Sequence, residues 1–124
     1  MEDYAESAVR HYVDAKGLKD KGRLDNAGHL MGFAAECAIK ARMNELDDEF
    51  DIPRSHLPKL LETAKKRFRV SDKDDSMYRV VNESTFPDWD VARRYYATGH
   101  TTPEELTIWD RTTRRLLGAA GLRV

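Results

Sequence analysis

Cysteine is all but missing from this chain: Cys37 is the lone thiol in 124 residues, so no intrachain disulfide can form, which suits a reducing compartment. Cys37 itself reads as a small core residue. Net charge is missing as well. A formal charge of −1, with 35% of residues charged and both signs mixed, sets up no global field toward nucleic acid or membrane, so any such binding must be local. No uninterrupted apolar run approaches a membrane span, and no charged-then-apolar leader occupies Met1 to Asp20. A soluble, cytoplasmic protein that does not bind membranes is expected. No pair of histidines or cysteines has ligand spacing, so neither a metal site nor another cofactor is expected. Gly28 and Gly32 follow no strand and form no phosphate loop. With no strand alternation, internal repeat or low-complexity tract, residues 1–124 fit one compact domain.

What is present is helical periodicity. The stretch from Asp25 to Met43 carries Ala27, Leu30, Met31, Ala34, Cys37, Ala38 and Ala41 at helical spacing, which makes one apolar stripe. Gly28, Gly32, Ala35 and Ile39 make a second side, small enough for another backbone to approach. Only His29, Glu36 and Lys40 form a polar strip, with Glu36 and Lys40 spaced to pair. This helix is expected to be a hub packed on two sides. Ahead of it, Asp3 to Lys21 reads as a helix buried through Ala5, Ala8, Tyr12 and Ala15, stopped at Gly22, and the short link predicts an antiparallel hairpin.

Past Met43 the chain turns acidic at Glu45, Asp47, Asp48, Glu49 and Asp51, as a solvated helix end and loop. Ser55 is placed to cap a third helix that buries Leu57, Leu60, Leu61, Ala64 and Phe68. Pro58 falls in its first turn, and Lys65, Lys66, Arg67 and Arg69 suit its negative end. Ser71 is placed to cap a fourth helix through Asn82, with Met77, Val80 and Val81 inside. Residues 84–100, STFPDWDVARRYYATGH, hold no period and read as a structured loop. Thr102, Pro103 and Glu105 then supply a cap, a first-turn proline and a capping-box acid for a last helix facing inward through Leu106, Trp109, Thr113, Leu116, Leu117 and Ala120, with Gly121 as its stop. The fold class is all-α, an up-and-down bundle of four to five helices.

The chemistry gathers near His100. A helix starting at Pro103 points its first amides and positive dipole end toward that histidine, a setting that attracts phosphate. Arg93 and Arg94 add charge, and Arg94 can grip a phosphate through two nitrogens. Trp89, Tyr95 and Tyr96 offer faces for an exposed base. The same residues also read as a loop anchored by aromatic packing, with Arg94 paired to Asp88 or Asp90 and His100 exposed in the loop.

Four segments in order, DAKGLKDKGR, DNAGHLMGFAAECAIKA, SHLPKLLE and VARRYYATGH, together resemble the HEPN family, named for its occurrence in higher eukaryotes and prokaryotes and its link to nucleotide binding. The resemblance implies a helical bundle, usually a homodimer with one shared cleft. Many members are metal-independent endoribonucleases of toxin-antitoxin or defence systems, acting through an arginine and a nearby histidine. Arg94 and His100, with five residues between them, match that spacing, and Arg93 matches it with six. Active members usually carry a small polar residue directly after the arginine, where this chain has Tyr95. The resemblance therefore implies Arg94 and His100 as catalytic residues, with His100 removing the proton of a ribose 2′-hydroxyl and Arg94 stabilising charge on the phosphate. A second His100 across a two-fold axis would complete the acid-base pair. Arg93, Tyr95, Tyr96, Glu36 and Lys40 would contact RNA or nucleotide. Other members are non-catalytic modules that partner a separately encoded nucleotidyltransferase, and that alternative stands beside the enzyme.

Overall fold

Short local signals start and stop the helices. The computed structural model describes residues 1–46, 51–70 and 75–124. Asp3 caps helix α1 (Tyr4–Asp20) by accepting the Glu6 amide at 2.9 Å. At its other end Gly22 takes φ 76°, and the Arg23 and Gly22 amides donate back to Leu18 O and Lys19 O, closing the last carbonyls. The chain then turns into α2 (Leu24–Leu46), followed by α3 (Lys59–Val70), α4 (Asp75–Glu83), a 3-10 turn (Val91–Tyr95) and α5 (Pro103–Ala119). Among the described residues all regular structure is helical. None of these helices is long and apolar enough to cross a membrane.

Helix α2 is the hub. It packs most extensively on α1 and next on α5, and also touches the 3-10 turn. Ala27, Met31, Ala34 and Ala38 of one stripe are buried, as are Gly28, Gly32, Ala35 and Ile39 of the other. The small-residue side admits indole rings, not a second backbone. A Cβ on Gly28 would crowd the ring of Trp109, and one on Gly32 would overlap the ring of Trp89. The Trp89 ring is fastened there, its Nε1 donating to Gly28 O at 2.9 Å, and Trp109 Nε1 donates to Pro87 O at 3.0 Å. Thr113 of α5 adds a bond from Oγ1 to Met31 O at 3.1 Å. These contacts clamp residues 86–89 between α2 and α5, which fixes where the following loop lies.

One expectation about helix starts changes. Helix α3 begins at Lys59, beyond Pro58, with its first carbonyl contact from Leu60 N–H to His56 O. Ser55 is not its cap. The Leu57 amide instead donates to Glu36 Oε1 of α2 at 2.9 Å, and His56 Nδ1 donates to Glu36 Oε2 at 3.0 Å. A buried carboxylate of α2 thus holds the segment just ahead of α3, while the Leu60 and Leu61 amides go to the His56 and Pro58 carbonyls. Helix α4 begins at Asp75 and buries Met77, Val80 and Val81. The proposed cap Ser71 and the acidic residues Asp47, Asp48 and Glu49 lie outside the described residues. Helix α5 starts as read, with Thr102 and Glu105 forming the reciprocal capping box and Gly121 at φ 76° ending it.

Candidate functional site

A cavity of about 410 Å³ opens where the N-terminal turn of α2 meets residues 89–101. Arg23, Asp25, His29, Arg94, Tyr96 and His100 all reach it. It exists because the Trp89 clamp holds one end of the loop to α2 and Asp25 holds the other. Asp25 accepts the Gly99 amide through Oδ2 at 2.7 Å and the Thr101 amide through Oδ1 at 2.9 Å. Gly99 sits at φ 93°, a conformation natural to glycine, which lets its amide turn toward that carboxylate. Partial burial pushes the Asp25 carboxyl up, but the two amides and nearby His100 outweigh it and hold the group below the usual 3.8.

His100 is held through one nitrogen only. Its Nδ1 lies 2.9 Å from Ala97 O and 3.3 Å from Asp25 Oδ1, and both neighbours are acceptors. Nδ1 therefore carries a proton, and Nε2 is the nitrogen left for other chemistry. Tyr96 packs edge-on against the imidazole with centroids 5.2 Å apart. Arg94 is exposed, pairs with no carboxylate among the described residues, and lies over the Tyr95 ring at 4.9 Å. It does not pair with Asp88 or Asp90. Its guanidinium is free to meet an anion in the cavity.

The two neighbouring arginines have different work. Arg93 is bound to Glu105 at 3.3 Å, donates to Asp88 O at 2.8 Å and covers the Trp109 ring at 5.0 Å. Its side chain is 10% exposed, so it ties the loop to α5 and is not the free cation of the site. Asp88, at φ 61°, presents the carbonyl that Arg93 holds. The α5 N-terminus also differs from its expected role. Thr102 Oγ1 accepts the Glu105 amide, and Glu105 Oε1 accepts the Thr102 amide, so a carboxylate already occupies the positive end of that dipole. The cations that line the cavity apart from Arg93 are Arg94 and Arg23, the latter beside the α2 N-terminal turn.

Of the residues singled out in the sequence, Arg94, His100, Tyr96, Arg93 and Trp89 come together at the cavity, Arg93 and Trp89 as part of its wall. Tyr95 is 78% exposed outside it. Trp89 is buried as packing, with its ring over α2. Glu36 does not pair with Lys40 or reach the cavity; it is buried beneath His56. Lys40 lies farther along α2, also away from the cavity. Three residues were not assigned to the site from sequence: Arg23, Asp25 and His29. The sequence places His29 on a polar strip with Glu36, where both could face one cleft, and nothing in local spacing links Asp25 to an amide more than seventy residues away.

Comparisons with family models, curated protein sequences and solved structures return no match for this chain.

Proposed function

We propose that the chain is a HEPN-type RNA-binding domain with metal-independent endoribonuclease chemistry in the cavity between α2 and residues 89–101. The observation that carries this is the convergence of an unpaired guanidinium, Arg94, and a histidine whose Nε2 is left free, His100, on one cavity. Arg94 engages two oxygens of a phosphodiester and stabilises the charge that grows on them. His100 Nε2 takes the proton from the adjacent ribose 2′-hydroxyl. The 2′-oxygen bonds to phosphorus, the bond to the 5′-oxygen breaks, and that oxygen takes a proton from solvent or from a second copy's His100 that has already taken up a proton on Nε2. The products are a 2′,3′-cyclic phosphate and a free 5′-hydroxyl. Tyr96, beside His100, offers a ring against which a base can rest.

A specific observation favours a second reading. Tyr95 and Tyr96 are exposed next to Arg94, and such a cluster of aromatics and arginine is a composition enriched where proteins dock. In that reading the domain is a non-catalytic partner of a nucleotidyltransferase and its cavity holds a nucleotide. Structured and single-stranded RNA incubated with the protein in a chelator separates the two. The enzyme reading predicts cleavage by wild type and its loss in Arg94→Ala and His100→Ala, and equal cleavage by all three sinks it.

A further inference from the structure

We infer that His29 is a neutral hydrogen-bond donor to the bound phosphate, presenting Nε2–H beside Arg94 while His100 presents a bare Nε2 to the sugar hydroxyl; this rests on the phosphodiester reading above. The two imidazoles differ in what each Nδ1 meets. His29 Nδ1 is buried and has no hydrogen-bond partner among the described residues. A proton on Nδ1 would thus be a buried N–H with no acceptor in reach, an arrangement folded proteins rarely hold. The single proton of the neutral ring therefore sits on Nε2, the nitrogen His29 has to offer the cavity it lines. At His100 the assignment reverses. Its Nδ1 faces Ala97 O and Asp25 Oδ1, so the proton sits there and Nε2 is the acceptor.

The His29 ring is fixed in place, stacked on Trp89 at 5.8 Å with 16° between planes and met edge-on by Phe33 at 4.6 Å. Burial, then the positive charge of Arg94 and the neighbouring His56 and His100, lowers its pKa below the ordinary 6.5, which keeps it uncharged at neutral pH. One chain thus sets a cation, a neutral donor and an acceptor nitrogen around one cavity. A donor of this kind gains strength as negative charge grows on a non-bridging phosphate oxygen, with no proton leaving His29.

Nitrogen-15 spectra of the imidazoles in the ligand-free full chain at neutral pH test the assignment directly. His29 is expected as the Nε2–H tautomer and His100 as the Nδ1–H tautomer. Titration with inorganic phosphate should then give a Kd about fivefold weaker for His29→Ala, the loss of one ordinary hydrogen bond. His29→Gln, whose amide nitrogen stands near the position of Nε2, should stay close to wild type. A His29 imidazolium or Nδ1–H tautomer overturns the inference, as does a wild type that does not bind phosphate or a folded His29→Gln as weak as His29→Ala. None of these readouts needs turnover, so RNA left uncut would remove the ribonuclease reading while the spectra and titrations still decide the role of His29.

Discussion

At the scale of single residues, the site depends on one carboxylate more than on its neighbouring arginines. Asp25 takes the Gly99 and Thr101 amides and stands beside His100, so it sets both the loop and the imbalance between the two imidazole nitrogens. Asp25→Ala leaves two amides without their acceptor. We expect a loss of about 1–3 kcal/mol in stability by urea unfolding, together with loss of the Nδ1–H tautomer of His100 in nitrogen-15 spectra. Retention of that tautomer would show that Ala97 O suffices alone. The pair Arg93 and Arg94 shows how far a motif can be read from spacing. Both fit the distance to His100, yet Glu105, Asp88 O and the Trp109 ring claim Arg93, and only Arg94 remains free. Spacing cannot distinguish them, because the partners that decide the matter come from elsewhere in the chain.

At the scale of elements, the glycines of α2 connect packing to chemistry. Gly32 admits the Trp89 ring, and Trp89 begins the segment that carries Arg94 and His100. Gly32→Ala puts a methyl group where that ring lies, a form of overpacking that costs about 1–3 kcal/mol. Circular dichroism should still report a helical protein, while RNA cleavage or phosphate binding falls with the displaced loop. Unchanged function in that variant would separate the loop from its clamp. The helix pattern itself was legible: the two sides of α2, the capping box of α5 and the glycine stops after α1 and α5 follow from residue spacing and local hydrogen bonds. The lead-in to α3 was not, because the Leu57 amide is satisfied by Glu36, twenty-one residues earlier in the chain. Glu36 looked like a surface partner for Lys40 for the same reason. A polar residue on a helix stripe does not reveal whether it meets water or another element.

For the whole molecule, α1 and α5 are joined by a buried polar contact that the sequence pattern did not indicate. Tyr12 Oη donates to Asp110 Oδ1 at 2.6 Å, and Lys19 and Lys16 approach Oδ2 at 3.3 and 3.6 Å. Burial works against the charged Asp110 carboxylate, but Tyr12 and the two lysines outweigh it and hold the group below 3.8. A depressed carboxylate contributes stability that is complete above its unfolded value and is lost as pH falls through the folded one. Wild type should therefore lose urea resistance more steeply below about pH 4 than Asp110→Asn, whereas Tyr12→Phe should cost about 1–3 kcal/mol at neutral pH. Parallel curves for wild type and Asp110→Asn would remove this contact from the account. The all-α architecture could be read in advance because it rests on periodicity. The cavity could not, because it joins the start of α2 to a loop more than sixty residues away. We propose that this cavity is a phosphodiester site served by Arg94 and His100. The most direct test is the mass of RNA fragments released in the presence of a chelator. Fragments ending in 2′,3′-cyclic phosphate, formed by wild type and absent with Arg94→Ala and His100→Ala, are the predicted result; 3′-hydroxyl ends, or the same fragments from all three proteins, would contradict it.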